Sequence, residues 1–584
     1  MLPKRVLPSH GRRQGRHDKP LPVDALCNMW IDNDLGSLWN LAKGRAISLI
    51  HQSTSSIRQR TNNIDMAISL GRSGMFGKAC RILQSSGIAP NNENTWQLLK
   101  AKHPSCPAPV VPVVQSTETI TLQPDFNILS VLQSFPKDTA AGPSGLRVQH
   151  LLDVANIPLP TPICSSLRSV INMLAAGRAP SSVFRFLAGG SLIALNKNKE
   201  GCAPDIRPIA VGETLRRLVG KCMCALLKVK AADFFQPLQF GVACRAGQIS
   251  SESGVQQGDP LGPLLFALVL QKLISSVDAD DECMDLLCQA WYLDDGALAG
   301  NRPAVLRAMH IIEEMGPALG LYINFTKCEL FSSKGNASFP PAVKCSLLPN
   351  LDILGAPVGD YLHCSRFIAD KCAESKKLLT SLVDVAGVDL QVAFTLLRMC
   401  GGFCKLVHLT RVTPPSLASD ALVSFDEDVR QCFVLCSAID VSDTTWKQAQ
   451  LSLRYGGLGL RSLSCHAAAA YIASLSLSGL GQSNNHYLQQ AVIAYNSKVA
   501  SHHAITAESA LASPTTQREL SSKIDEDQFK SLLGASCPAD KARLLSVSAP
   551  HSSSRVSVIP SMGLGLHMES NEFTDTLTRR SDPR

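Results

Sequence analysis

The chain has 584 residues, too many for one hydrophobic core, so it divides into several globular units. With 45% hydrophobic and 18% charged residues, most of it can bury a core, which excludes a disordered chain. The net charge of +8 is a mild basic excess, compatible with a polyanionic partner without requiring one.

The 20 cysteines are scattered at irregular spacings and read as reduced thiols, not a disulfide framework. The longest apolar run, Pro263 to Leu270, is far shorter than the about 18 residues a membrane span needs. Nuclear or cytoplasmic residence without a membrane partner is the expectation.

In chain order, residues 1–23 form a basic tail carrying Lys4, Arg5, Arg12, Arg13, Arg16 and Lys19, either plain solvated chain or an arm for nuclear import or nucleic acid. Residues 24–103 are predicted helical. Ile47, Ile50, Ile64, Met66, Ile68 and Leu70 recur at helical spacing, and Ser85-Ser86-Gly87 with Pro90 supplies a stop. Residues 104–124 are a linker rich in Pro, Val, Ser and Thr. Short helices and strands alternate over 125–360. Amphipathic helices follow over 361–440, with Leu378, Leu379, Leu382 and Val383 on one stripe. Residues 441–584 are a helical flank with a glycine-rich turn, Tyr455-Gly456-Gly457-Leu458-Gly459-Leu460-Arg461.

Two adjacent carboxylates, Asp294 and Asp295, end the strand-like run Ala290-Trp291-Tyr292-Leu293, and Gly296 is expected to allow a tight hairpin turn. Side-by-side anions repel unless a cation holds them, and Mg²⁺ favours hard oxygen ligands of this kind. Alone, the string also suits a surface turn. Upstream, the glycine- and proline-punctuated loop Gly254-Val255-Gln256-Gln257-Gly258-Asp259-Pro260-Leu261-Gly262-Pro263 leads into an apolar helix, and such a loop lets backbone approach a ligand closely.

The loop resembles motif B, and Tyr292-Leu293-Asp294-Asp295 motif C, of non-LTR (LINE-like) retrotransposon reverse transcriptases. Gly320 to Glu329, with Asn324 and Lys327, is similar to motif D, and Leu354-Gly355-Ala356-Pro357-Val358-Gly359 to motif E, the primer grip. Lys137 to Arg147, with Gly142, Pro143 and Gly145, resembles the entry signature of that domain. Leu192 to Lys197, Arg207-Pro208-Ile209 and Lys221 resemble its fingers segments. These stand in the family's order across 125–360.

The resemblance implies an α+β right-hand polymerase (fingers, palm, thumb) with helical flanks, copying an RNA template onto a DNA primer from deoxynucleoside triphosphates. It implies that Asp294 and Asp295 bind Mg²⁺, with one metal activating the 3′-hydroxyl and another stabilising the departing pyrophosphate. Lys197 and Arg207 would grip the triphosphate, Gln257 and Gly258 with Tyr292 would face the substrate, and Lys327 would protonate pyrophosphate. Leu354 and Gly355 would hold the primer. Solvated surface is the competing reading for Lys197 and Lys327.

One family element is missing. Motif A supplies a third metal-binding carboxylate on a central palm strand, but Val242 runs almost directly into Gly254, with Glu252 as the sole acid between them. No displaced copy is visible, since Phe425-Asp426-Glu427-Asp428 reads as a helix start. The palm sheet is therefore expected to be incomplete and catalysis impaired. The alternative is a non-catalytic nucleic-acid-binding remnant of a retroelement. Cys400, Cys404 and His408, with Cys432 and Cys436, have loose zinc-like spacing but read better as a buried thiol stripe.

Overall fold

The computed structural model describes residues 29, 32, 34, 36–37, 56–85, 87–90, 92–102, 121–136, 139–155, 163–180, 183, 187–196, 205–235, 260–333, 335, 338–479 and 481–581. The chain forms two compact units, Met1–Ser53 with Ser86–Phe325 and Thr54–Ser85 with Thr326–Arg584. Helices α1 (Ser56–Arg72) and α2 (Phe76–Leu83) belong to the second unit, and α3 (Glu93–Ala101) belongs to the first.

The first unit holds a helical cluster of α4 (Ile128–Gln133), α5 (Val148–Ala155), α6 (Ile163–Ala175) and α7 (Thr214–Phe235). Their apolar faces meet at Ile128, Leu132, Val148, Ile171, Leu218 and Cys222. Asn127 starts α4 by accepting the Ser130 amide at 2.9 Å, which satisfies one of the open donors of its first turn. Between α6 and α7, strands β1 (Gly190–Asn196) and β2 (Ile206–Gly212) pair antiparallel from Gly190↔Gly212 to Asn196↔Ile206. Residues 87–89 extend this ladder, with Ala89 donating to the Ala194 carbonyl at 2.9 Å. Ala89, Ala194 and Ile206 then form a small core with Leu98 and Leu99 of α3.

The same unit continues with α8 (Gly262–Asp278), strands β3 (Leu286–Tyr292) and β4 (Asp295–Gly300), and α9 (Arg302–Met315). Among the described residues β3 and β4 form a two-stranded sheet, backed by Leu270, Leu273 and Ile274 of α8 and Ala308 and Ile311 of α9.

The second unit carries two small sheets and a helical body. β5 (Glu329–Phe331) pairs parallel with β6 (Lys344–Ser346), and β7 (Leu351–Ile353) pairs antiparallel with β8 (Ala356–Val358). Helix α10 (Tyr361–Ala386) starts where Asp360 accepts the His363 amide at 2.8 Å, and it buries Leu378, Leu379 and Leu382 of the predicted stripe, with Val383 half-buried beside them. A continuous helical segment follows: α11 (Leu390–Leu396), a π-turn over Leu397–Gly401, and α12 (Phe403–Val412). By length and composition Leu390–Val412 could cross a membrane. Its apolar residues Val392, Phe394, Leu396 and Leu397 are buried in this unit's core, which accounts for that character without a bilayer.

The body is completed by α13 (Ser419–Ser437), α14 (Asp443–Gln450), α15 (Leu463–Ser478), α16 (His486–Asn496), α17 (Ala507–Ala512), α18 (Gln517–Ala535), α19 (Pro538–Ser548) and α20 (Ser570–Ser581). Phe394, Phe433 and Phe573 meet at its centre, with ring centroids 6.3 and 5.5 Å apart. Burying each such side chain contributes about 1.5–3 kcal/mol.

Two differences from the sequence reading have plain causes. The N-terminal helical region is split, because Ala67, Ile68, Ala79 and Cys80 of α1 and α2 pack into the second unit's core while α3 packs on the first. A pair across α1 and α11 reinforces this: Arg72 Nε donates to Asp389 at 2.8 Å. And Phe425 to Asp428 lies inside α13, not at a helix start. Asp426 there accepts from the amides of Leu463 and Ser464 and from both Ser462 and Ser464 hydroxyls, so its carboxylate caps α15.

Candidate active-site hairpin

Alternation along β3 and β4 sets two faces. Trp291, Gln289 and Leu286 share the inner face with their partners Gly296, Leu298 and Gly300. Trp291 is buried against α8. Tyr292, Ala290 and Cys288 share the outer face with Asp295, Ala297 and Ala299, a surface of small residues ending at the acidic tip.

Leu293 and Asp294 form the two-residue turn, which corrects the expected role of Gly296. That glycine sits in β4 opposite Trp291, where a Cβ would stand 2.6 Å from the ring carbon Cε3. Its missing side chain lets the indole cover the strand, rather than letting the chain turn. The turn falls to Leu293, at φ +55°. A branched apolar side chain in the left-handed region costs roughly 1–2 kcal/mol.

Asp294 and Asp295 are exposed, and neither carboxylate takes a hydrogen bond or ion pair from a described residue. Two hard, hydrated carboxylates on adjacent residues are a donor set that fits part of a Mg²⁺ shell, which commonly uses one or two carboxylates plus phosphates. The base of the hairpin is firmly tied. Asn301 Nδ2 donates to Asp285 at 2.6 Å while Asn301 Oδ1 caps α9 through the Ala304 amide. Asp280, just before β3, takes both Nε and Nη2 of Arg307, at 3.1 and 2.7 Å. That guanidinium holds the Asp280 carboxyl below its ordinary value.

Arg207 lies in β2, exposed and without a described partner. Lys221 is different. Its ammonium donates to the Ser134 carbonyl and hydroxyl at 3.0 and 2.7 Å and lies 4.4 Å from the Phe135 ring centroid, so it fastens α7 to the end of α4.

The entry signature is explained by residues the sequence reading passed over. Glu213, buried, accepts from the Ser144 amide and hydroxyl at 3.0 and 2.6 Å and from the Thr214 amide at 3.0 Å. Gly142 lies so close to this strand end that a Cβ would be 2.6 Å from Glu213 Cα. Arg217 donates to the Ala140 carbonyl at 2.7 Å. The available signal was an acid at the end of a strand with Arg four residues on.

Lys327, Leu354 and Gly355 fall in the second unit. Lys327 ends a single 3-10 turn, Phe325–Lys327, and is exposed. Leu354 and Gly355 form the β7–β8 turn with φ of +51° and +78°. Lys197, Gln257 and Gly258, with the Val242 to Gly254 stretch where motif A is missing, lie outside the described residues. The structure thus brings Tyr292, Asp294 and Asp295 together on one hairpin.

Among the described residues the thiols do not converge into a metal centre. Cys432 and Cys436 lie on one helix with sulfurs 3.9 Å apart, and Cys432 bonds the Leu379 carbonyl. Cys400 pairs with Cys80, and that contact lowers the Cys400 thiol from its ordinary value. The three-residue group with ligand atoms close enough for one ion, among the described residues, is His502, His503 and Asp527.

No curated protein matches the chain. Residues 205–357 match the family model of reverse transcriptase (RNA-dependent DNA polymerase), a stretch that includes Arg207, the β3–β4 hairpin, Lys327 and the β7–β8 turn, and over it the chain carries a reverse transcriptase domain.

Proposed function

We propose that this chain is a non-LTR (LINE-like) retrotransposon reverse transcriptase whose nucleotidyl transfer is impaired. The observation that carries the reading is the β3–β4 hairpin, with Asp294 and Asp295 exposed at its tip inside the matched domain, set against the missing third carboxylate between Val242 and Gly254.

In this reading Asp294 and Asp295 hold a divalent cation, Mg²⁺, and Tyr292 lines the nucleotide side of the tip. Arg207 and Lys197 bind the triphosphate, Gln257 and Gly258 face the nascent base pair, Lys327 donates a proton to pyrophosphate, and Leu354 and Gly355 hold the primer terminus. The ion, when bound, supplies charge stabilisation to the attacking and leaving oxygens. Two carboxylates leave a site for a pair of ions short of its bridging ligand. Weak metal affinity and slow transfer follow. Template RNA, primer and deoxynucleoside triphosphates are the partners this reading assigns.

Primer extension on the full chain with Mg²⁺ and with Mn²⁺ tests it. Incorporation near background is the expected result, and robust template-dependent synthesis would overturn the impairment. Filter binding at graded salt separates the other outcome: retention with a steep salt slope and no metal requirement identifies a non-catalytic nucleic-acid-binding protein. Genomic sequence between the codons for Gln248 and Ser250 shows whether an exon bearing the missing strand has been skipped.

A further inference from the structure

We propose that His502, His503 and Asp527 form a binding site for a divalent transition-metal ion of the zinc class, in the second unit and outside the matched domain. The site is built from a short connection and a long helix. After α16 the chain makes a single 3-10 turn, Ser501–His503, which lies against α18 at Asp527.

One carboxylate oxygen of Asp527 organises that turn. Oδ2 accepts the Ala500 amide at 2.8 Å and the ring N–H at His503 Nδ1 at 2.7 Å. The other oxygen is left over. The Asp527 side chain is only 8% exposed, and its Oδ1 is buried without a hydrogen bond from any described residue. Lys530 comes no closer to Oδ1 than 3.9 Å and spends its ammonium on Glu526 at 2.7 Å. A buried, donorless carboxylate oxygen is a position that a cation fills well.

The two imidazoles supply the rest. In the metal-free site the Asp527 carboxylate takes the N–H at Nδ1, 2.7 Å away; an ion displaces that proton, so that the Nδ1 lone pair and the carboxylate both face the metal while the ring carries its N–H at Nε2. His502 stacks beside it, with ring centroids 4.1 Å apart. One ligand atom from each of the three residues lies within 4.8 Å of the others. His502 is exposed, so rotation of its side chain closes the remaining distance. Two nitrogens and one oxygen suit zinc better than Mg²⁺ or Ca²⁺, and three protein ligands leave a fourth position for water.

Cobalt titration of the full chain tests the site, with zinc as the competing ion, because the 20 cysteines would confuse a simple zinc count. A nitrogen–oxygen site gives visible cobalt bands without the near-ultraviolet charge-transfer band of a thiolate ligand. The expected result is one such equivalent, displaced by zinc, with affinity falling at least tenfold in His502→Gln. That side chain is exposed and makes no hydrogen bond to a described residue, so its loss leaves the fold intact. Asp527→Asn, checked for folding by circular dichroism, should lose the same equivalent. Thiolate bands alone, or visible bands unchanged in His502→Gln, would overturn the assignment.

Discussion

The molecule contains two hairpins that solve one geometric problem in different ways. β3–β4 and β7–β8 both turn in two residues, and both place a leucine first in the left-handed region, Leu293 at φ +55° and Leu354 at +51°. Both bases are tied by an Asn–Asp pair: Asn301 to Asp285 at 2.6 Å, and Asn350 to Asp360 at 3.1 Å. They part at the second turn position. β7–β8 has Gly355 in the left-handed region at φ +78°, whereas Asp294 of β3–β4 stays out of that region, with Asp295 next to it. Both hairpins therefore keep a strained leucine, and the first adds two like charges side by side at its tip. Under the proposed function that departure serves metal binding at the tip. It is held by Trp291, buried against α8, and β7–β8 carries no comparable aromatic in its three-residue strands.

The largest expected effect tests that support. Trp291→Ala should cost about 3–5 kcal/mol, the range for truncating a buried aromatic, in urea unfolding of the first unit. Leu354→Ala, at a side chain 62% exposed, should change stability by under about 0.5 kcal/mol. Equal effects would remove the contrast.

A smaller effect tests the strain. Leu293→Asn and Leu354→Asn should each stabilise by about 0.5–1 kcal/mol, since asparagine tolerates the left-handed region. If Leu293→Asn destabilises its unit, the turn is not strained and the functional reading of that departure loses its footing.

The smallest effect concerns acid. Asp280 is held below its ordinary value by Arg307, and Asp360 by the His363 amide and then Asn350. A carboxyl depressed in the folded state adds stability above its unfolded value near 3.9, and that stability is lost as pH falls through the folded value. Both hairpin bases should loosen only in strong acid, read by amide exchange below about pH 4. Asp280→Asn should flatten the response at β3–β4 alone, and Asp360→Asn at β7–β8 alone.

The acidic hairpin and the α10 stripe could be read from the sequence because each is a local pattern. A strand ending in two acids, or leucines at spacings of three and four, carries its meaning within a dozen residues. What escaped depends on partners far along the chain. Gly296 looked like a turn residue because nothing local says that Trp291 lies across the strand from it. Lys221 looked like a family landmark, yet it reaches back to Ser134 and Phe135. Asp426 read as the start of a helix because its helix-capping partners, Leu463 and Ser464, are 37 and 38 residues downstream. Buried pairs of this kind have no periodicity to betray them.

The divided second unit has a consequence for how the protein is made. Helices α1 and α2 are synthesised first, but the core that receives Ala67, Ile68, Ala79 and Cys80 comes from chain that follows Thr326. The ribosome must add roughly 240 intervening residues before that core begins to emerge, on the order of tens of seconds at ordinary elongation rates. The closing piece comes later still. Arg580 in α20 donates to the carbonyls of Gly457, Leu453 and Ser552, and Phe573 completes the central aromatic cluster. Through that interval the apolar faces of α1 and α2 wait without their native cover while the first unit is free to fold. A chaperone that shields a short amphipathic pair would act at that moment, and a slowed ribosome would lengthen it.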